Sequence, residues 1–158
     1  MVHDDIDFWS YKEHHALREA IRDRVAIMLQ RTFALWGDLT VIENILDVIG
    51  PDTPQRIEKA LALLQVVNMS HRTMHIARDL SGGEKQRVSI ARCLCQDPSL
   101  ILLDEPSTYL DANGKDELFA ILDRLAKSPL TILMVTHEAE LFEHFATWNR
   151  VQLPKVGA

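Results

Sequence analysis

The run Leu80-Ser81-Gly82-Gly83-Glu84-Lys85-Gln86-Arg87 sets a hydroxyl and two adjacent glycines at the start of a segment that can continue as a helix. Ser81 and Glu84 have the spacing of a capping box, in which each side chain bonds the other residue's backbone amide. A cap does not call for two glycines, which are costly in a helix. Exposed amides at a helix N-terminus, with glycine letting a ligand approach the backbone, also suit an anion such as a phosphate. On the local pattern both readings stand.

Asp104-Glu105 follows the apolar run Leu100-Ile101-Leu102-Leu103. An isolated acidic pair is usually a solvated strand end, but an inner strand makes casual exposure a weaker explanation. One carboxylate can hold Mg²⁺ directly or through water, and its neighbour can orient and deprotonate a water aimed at a phosphorus. His137 ends another apolar run, Thr131–Thr136. Alone it would be structural; at the end of a strand beside that carboxylate pair it can contact a γ-phosphate.

Three apolar runs must position these groups. Val25–Leu29 ends at Gln30, Leu100–Leu103 at Asp104-Glu105, and Thr131–Thr136 at His137. Continuous apolar runs of this length read as strands buried on both faces, as in a parallel sheet flanked by helices. Between the second and third lies an amphipathic helix carrying Leu118, Ile121, Leu122 and Leu125, punctuated by Asp111, Asn113 and Gly114 at its start and Ser128-Pro129 at its end. Strand, helix and strand make a βαβ unit with parallel strands, which brings Asp104, Glu105 and His137 to one carboxyl edge.

Residues 40–97 have a different texture. Thr40-x-x-Glu43 caps a helix with Val41, Ile45, Val48 and Ile49 on its apolar side, and Gly50 ends it. Thr53-Pro54 opens a second helix with Ile57, Ala60, Leu61 and Leu64 along one face. A third runs from Ser81 through Val88, Ala91, Leu94 and Cys95 to Asp97-Pro98. Tyr11–Arg22 reads as a charged helix with Leu17 and Ile21 as its few apolar contacts.

The chain has 158 residues, 17 basic and 23 acidic side chains, a net charge of −6 and 47% apolar residues. That suffices for one core without disulfides or metals. The acidic balance argues against a nucleic-acid partner, because such affinity rests on Lys and Arg neutralising phosphates. The apolar runs are far short of the roughly 18–20 residues a spanning helix needs, which predicts a cytoplasmic protein, or one peripheral to a membrane. Cys93 and Cys95 point to nearly opposite sides of a helix and do not suit a disulfide. None of the six glycines sits in a G-x-x-x-x-G-K-[ST] phosphate loop.

In this order the motifs resemble the ATP-binding-cassette (ABC) family of ATPases. Leu80–Glu84 is similar to the family's signature loop, with Glu84 where glutamine is common. Leu100–Asp104 is similar to its Walker B strand, with Glu105 in the catalytic glutamate position. Ser107-Thr108-Tyr109-Leu110-Asp111 resembles the D-loop, Gln30 the Q-loop glutamine, and Val135-Thr136-His137-Glu138 the switch-histidine segment. The resemblance runs from about residue 20 to about 145. It implies an α/β fold, a partial P-loop NTPase with parallel core strands (about 20–30 and 98–150) and an inserted helical subdomain (about 38–97), together a single domain over 1–158.

The resemblance further implies ATP sandwiched head to tail between two cassettes. Asp104 and Gln30 would serve Mg²⁺, Glu105 the attacking water and His137 the γ-phosphate. Ser81, Gly82, Gly83 and Glu84 would face a partner's nucleotide, with Asp111 at the protomer boundary. The partners implied are a second cassette and either a membrane permease or an enzyme to be activated. Arg24–Leu35 and His75–Asp79 resemble the tandem-cassette activators of methyl-coenzyme M reductase in methanogens, which makes that reductase complex the enzyme in question. Without a P-loop the phosphates have little to anchor them, so the 158 residues alone are expected to be inactive and marginally stable. The alternative is a non-hydrolysing cassette that lends Ser81–Glu84 to a complete partner.

His71 and His75 lie four apart but have no evident third ligand, and Trp9, Trp36 and Trp148 form no stacking series. No function is read into them.

Overall fold

The structure is a computed structural model that describes residues 24–29, 35–50, 52–108 and 110–151. Gln30, Tyr109 and the helix expected over Tyr11–Arg22 lie outside the described residues. The three apolar runs form β1 (Val25–Met28), β2 (Leu100–Asp104) and β3 (Thr131–Val135). They pair in the order β1-β2-β3, both pairs parallel. The register sets Met28 opposite Leu103 and Asp104 opposite Val135, so the carboxyl ends of all three strands share one edge.

The sheet departs from the expectation of burial on both faces. Side chains alternate across each strand, and Met28, Ile101 and Leu103 are fully or almost fully buried while Ile132 and Met134 pack partly against the same core. On the other face Ile27, Leu133 and Val135 are each more than half exposed, so this side is open among the described residues. The apolar run encodes a strand apolar on both sides; it does not encode what lies on each.

The helical block follows local signals closely. In α1 (Val41–Ile49) the Thr40 hydroxyl accepts the Glu43 amide while the Glu43 carboxylate accepts the Thr40 amide, and Gly50 ends the helix at φ 103°, a conformation that favours glycine. Its buried side is Val41, Asn44, Ile45 and Leu46, one step round from the expected stripe. Asn44 is buried because its amide donates to the Trp36 and Thr40 carbonyls and its oxygen accepts the Trp36 N–H. In α2 (Pro54–Val66), capped by Thr53 with Pro54 in the first turn, Ala60 and Leu64 are buried; Ile57 and Leu61, expected with them, are 37% and 44% exposed.

α3 (Gly82–Leu94) buries Val88, Ile90, Ala91 and Leu94, packs on α1 and α2, and reaches β1. Its far end leads to Cys95, which is buried; Cys93 is partly buried, and both thiols are free. α4 (Ala112–Leu125) is capped by Asp111, whose carboxylate accepts the Gly114 amide at 2.8 Å, and buries Leu118, Phe119, Ile121, Leu122 and Leu125. Asn113 and Gly114 are thus inside its first turn rather than before it. α5 (Ala139–His144) follows β3. No helix among the described residues is long and apolar enough to cross a membrane.

Candidate functional site

Adjacent parallel strands deliver Glu105 and His137 to each other. The Glu105 amide donates to the Val135 carbonyl at 2.8 Å, extending the β2–β3 ladder by one bond. Glu105 then turns at φ 48°, a left-handed conformation that costs a non-glycine residue about 1 kcal/mol. Such strain gathers where a side chain must be aimed. The Glu105 carboxylate meets His137 Nδ1 at 2.6 Å and accepts the hydroxyls of Thr108 and Thr136, both at 3.3 Å. Its side chain is 13% exposed, whereas that of His137 is 74% exposed. The hydrogen bond and charge of Glu105 raise the His137 pKa above its ordinary 6.5. With Nδ1 engaged, Nε2 is left for a ligand.

Asp104 ends β2 half-buried, its carboxylate without a hydrogen bond or ion pair among the described residues. An unpaired carboxylate there is a hard oxygen donor, which fits magnesium: that ion takes one or two carboxylates and fills its other positions with water and phosphate oxygens. No group of three or more His, Cys, Asp or Glu that could hold a metal exists among the described residues.

A second cluster lies at the N-terminus of α3. The Ser81 hydroxyl accepts the Glu84 amide at 3.2 Å, and the Glu84 carboxylate accepts the Ser81 amide at 2.8 Å. The capping reading of this loop therefore holds. The other Glu84 oxygen accepts Arg72 Nε at 2.7 Å. Burial works against the Glu84 charge, but the bonds from Ser81 and Arg72 outweigh it and hold the carboxyl below its ordinary range. Ser81 and Gly82 remain exposed. With Leu110, Asp111, Arg72 and Arg87 the loop lines an open cleft of about 540 Å³. Arg87 Nη1 pairs with Glu117 of α4, while its buried Nε has no hydrogen-bond partner among the described residues.

The two clusters meet through α3, whose Gln86 donates to the Pro106 carbonyl at 2.8 Å just after Glu105. The structure thus joins Asp104, Glu105 and His137 at one edge, and Ser81–Glu84 with Asp111 around one cleft. Gln30, two positions beyond the end of β1, falls outside the described residues. Sequence reasoning missed Arg72, Arg87, Lys115 and the pairing of Ser107 with Glu138. Ser107 and Glu138 sat inside recognised motifs, but no local signal links residues 31 apart.

Comparison with known proteins follows the same lines. The ABC transporter family model matches residues 4–108. The chain is 40% identical over 141 residues, 87% of its length, to the uncharacterized ABC transporter ATP-binding protein MJ1242 of Methanocaldococcus jannaschii, of which it covers 26%. It is 39% identical over 122 residues, 75% of its length, to the glutamate/aspartate import ATP-binding protein GltL of Escherichia coli, covering 50% of that protein. The chain therefore spans about a quarter to a half of the curated relatives it matches. Among solved structures, the ATP-binding cassette MJ0796, a dimer bound to ADP and Pi in a post-hydrolysis state, superposes with a TM-score of 0.68 at 31% identity. That match covers 82% of this chain and 59% of the other. With motifs, parallel sheet and family model in agreement, the chain belongs to the ABC transporter family and has the α/β fold of its ATP-binding cassettes.

Proposed function

We propose that this chain is the part of an ATPase that supplies the hydrolytic carboxylate and the partner-facing loop of a composite, two-cassette ATP site. The observation that carries the reading is the 2.6 Å pairing of Glu105 with His137 beside the unpaired Asp104. Glu105 takes a proton from water as its oxygen attacks the γ-phosphorus; the bond from that phosphorus to the β,γ-bridging oxygen breaks, giving ADP and phosphate. His137, held by Glu105, offers Nε2 to the γ-phosphate. Asp104, with Gln30 as the family pattern implies, would hold Mg²⁺. The ion would offset charge on the phosphate oxygens. Ser81–Glu84 would meet the nucleotide of a second cassette, with Asp111 at the boundary. The 158 residues contain no G-x-x-x-x-G-K-[ST], so turnover needs phosphate-cradling amides and a lysine from outside them, and these residues alone are inactive.

The work coupled to hydrolysis is transport or the activation of an enzyme. Support comes from relatives described as import or transport ATP-binding proteins for glutamate/aspartate and arginine/ornithine, which points to a cytoplasmic cassette seated on a membrane permease. The resemblance of Arg24–Leu35 and His75–Asp79 to activators of methyl-coenzyme M reductase supports an enzyme-activating form of the same chemistry. The test is steady-state ATP turnover by the intact polypeptide carrying these residues, with Glu105→Gln alongside. A fall of about 10²-fold or more is expected for loss of the base; unchanged turnover removes Glu105 from the reaction.

A second reading, a cassette that lends its loop without hydrolysing, is favoured by one observation: Ser81 and Gly82 stay exposed at the open cleft, where a ligand held by another chain can reach them. In that case Ser81→Arg would abolish a complete partner's turnover while Glu105→Gln would not.

A further inference from the structure

Two distant segments converge on the Glu138 carboxylate. The fully buried Ser107 donates its hydroxyl to Oε2 at 2.9 Å, and Lys115 of α4 reaches the same oxygen at 2.9 Å. Glu138 and Lys115 side chains are 17% and 20% exposed, so this pair is partly shielded from solvent, whereas the second Lys115 partner, Glu140, is 60% exposed. Burial disfavours the Glu138 charge, but the bonds from Lys115 and Ser107 hold its carboxyl below the ordinary range. Glu138 is also the N-cap residue of α5, yet its side chain makes no capping bond there. The carboxylate forgoes a local partner for two distant ones.

The backbone of Glu138 continues the chain of bonds. Its amide donates to the Thr136 hydroxyl at 3.1 Å, and that hydroxyl donates to Glu105, which holds His137. On the other side, Ser107 leads within four residues to Leu110 and Asp111 at the cleft. A connected series of side-chain and backbone hydrogen bonds therefore runs from Leu110 at the cleft, through Ser107, Glu138 and Thr136, to the pair Glu105 and His137.

We propose that Glu138 is a positioning residue that clamps the loop beginning at Ser107 to the His137 segment and so holds the geometry in which His137 meets Glu105. The functional part of this inference rests on the hydrolytic reading above; the clamp itself does not. Two measurements on the intact polypeptide test it. Steady-state ATP turnover of Glu138→Gln, Lys115→Met and the double variant should show kcat lowered roughly tenfold in Glu138→Gln, KM for ATP within about twofold, and the double variant no worse than the poorer single. Amide hydrogen exchange should quicken in 108–111 and 136–138 together in Glu138→Gln, while α1 and α2 keep their protection.

Wild-type kcat in Glu138→Gln, or additive losses in the double variant, overturns the proposal. So does faster exchange confined to 136–138. If the wild type shows no turnover that depends on Glu105, the hydrolytic reading fails, and the exchange pattern alone decides whether the clamp exists. A thermal midpoint below the assay temperature accompanied by uniformly faster exchange marks Glu138 as merely structural and overturns the proposal as well.

Discussion

Thr40 and Ser81 offer a matched pair for separating a helix cap from a ligand contact. Each hydroxyl accepts an amide three residues on, at 3.3 and 3.2 Å, and each glutamate reciprocates at 2.7 and 2.8 Å. Alanine at either position removes one acceptor and leaves the glutamate's bond to the backbone amide in place; at Thr40 it also removes the hydroxyl's own 2.7 Å donation to Glu43, at an exposed site where such a bond adds little. Loss of such a cap costs about 1 kcal/mol, and the long amide bonds at exposed sites argue against the upper end of that range. For a domain of this size about 1 kcal/mol lowers Tm by about 2–4 °C. Calorimetry should therefore find Thr40→Ala and Ser81→Ala equally destabilised.

Turnover should tell them apart. The Ser81 hydroxyl sits at the cleft, and a hydrogen bond to a charged phosphate is worth about 1.5–3 kcal/mol, or about 10- to 150-fold in rate. Thr40→Ala should stay within about twofold of wild type in the intact polypeptide. Equal losses in both variants would mean that Ser81 acts through helix stability alone. Full activity in Ser81→Ala would remove its hydroxyl from the ligand.

Further outcomes follow from the ionisable groups. His137 should titrate above 6.5 by NMR, with Glu105→Gln bringing its midpoint down, since the carboxylate is the main cause of the shift; an unmoved midpoint refutes the pairing. Because the folded pKa is raised, this pair's contribution to stability is complete below 6.5 and disappears as pH rises through the folded value. Glu84 has the opposite sign: its contribution is present above the ordinary 4.5 and is lost as pH falls through the lower folded value. The stability gap between wild type and Glu84→Gln should therefore narrow in acid, and a gap independent of pH would contradict the Arg72 and Ser81 bonds. Burial pushes Cys93 up to about 11 and Cys95 up to about 12. At pH 8 roughly one Cys93 in a thousand is thiolate, so iodoacetamide should label both thiols only after unfolding; rapid native labelling would refute their burial.

Local signals carried most of the fold. Thr40, Thr53-Pro54, Ser81 and Asp111 each mark a helix start because a cap is a contact within a few residues. The convergence of Glu105 and His137 was legible too, since two runs joined by a helix must run parallel and end at one edge. Burial was less legible. Ile57 and Leu61 follow helical spacing as well as Ala60 and Leu64 do, but which side of α2 meets α1 and α3 is decided by docking. The pairs Arg72–Glu84, Arg87–Glu117 and Ser107–Glu138 were unreadable for the same reason: each joins elements whose approach is set by the assembled core.

The strand register also bears on the order of assembly. Pairing Leu100 with Thr131 closes a loop of 131 − 100 = 31 residues, whereas pairing Val25 with Leu100 closes one of 100 − 25 = 75. The shorter closure is favoured by about 0.8 kcal/mol of chain entropy, and it is spanned by a single helix, α4. The β2-α4-β3 unit, which carries Asp104, Glu105 and His137, is therefore the natural folding nucleus, and α1–α3 with the Ser81 loop condense on it as β1 pairs. On that route the carboxylates and the histidine come together kinetically before the Ser81 loop takes its place beside them.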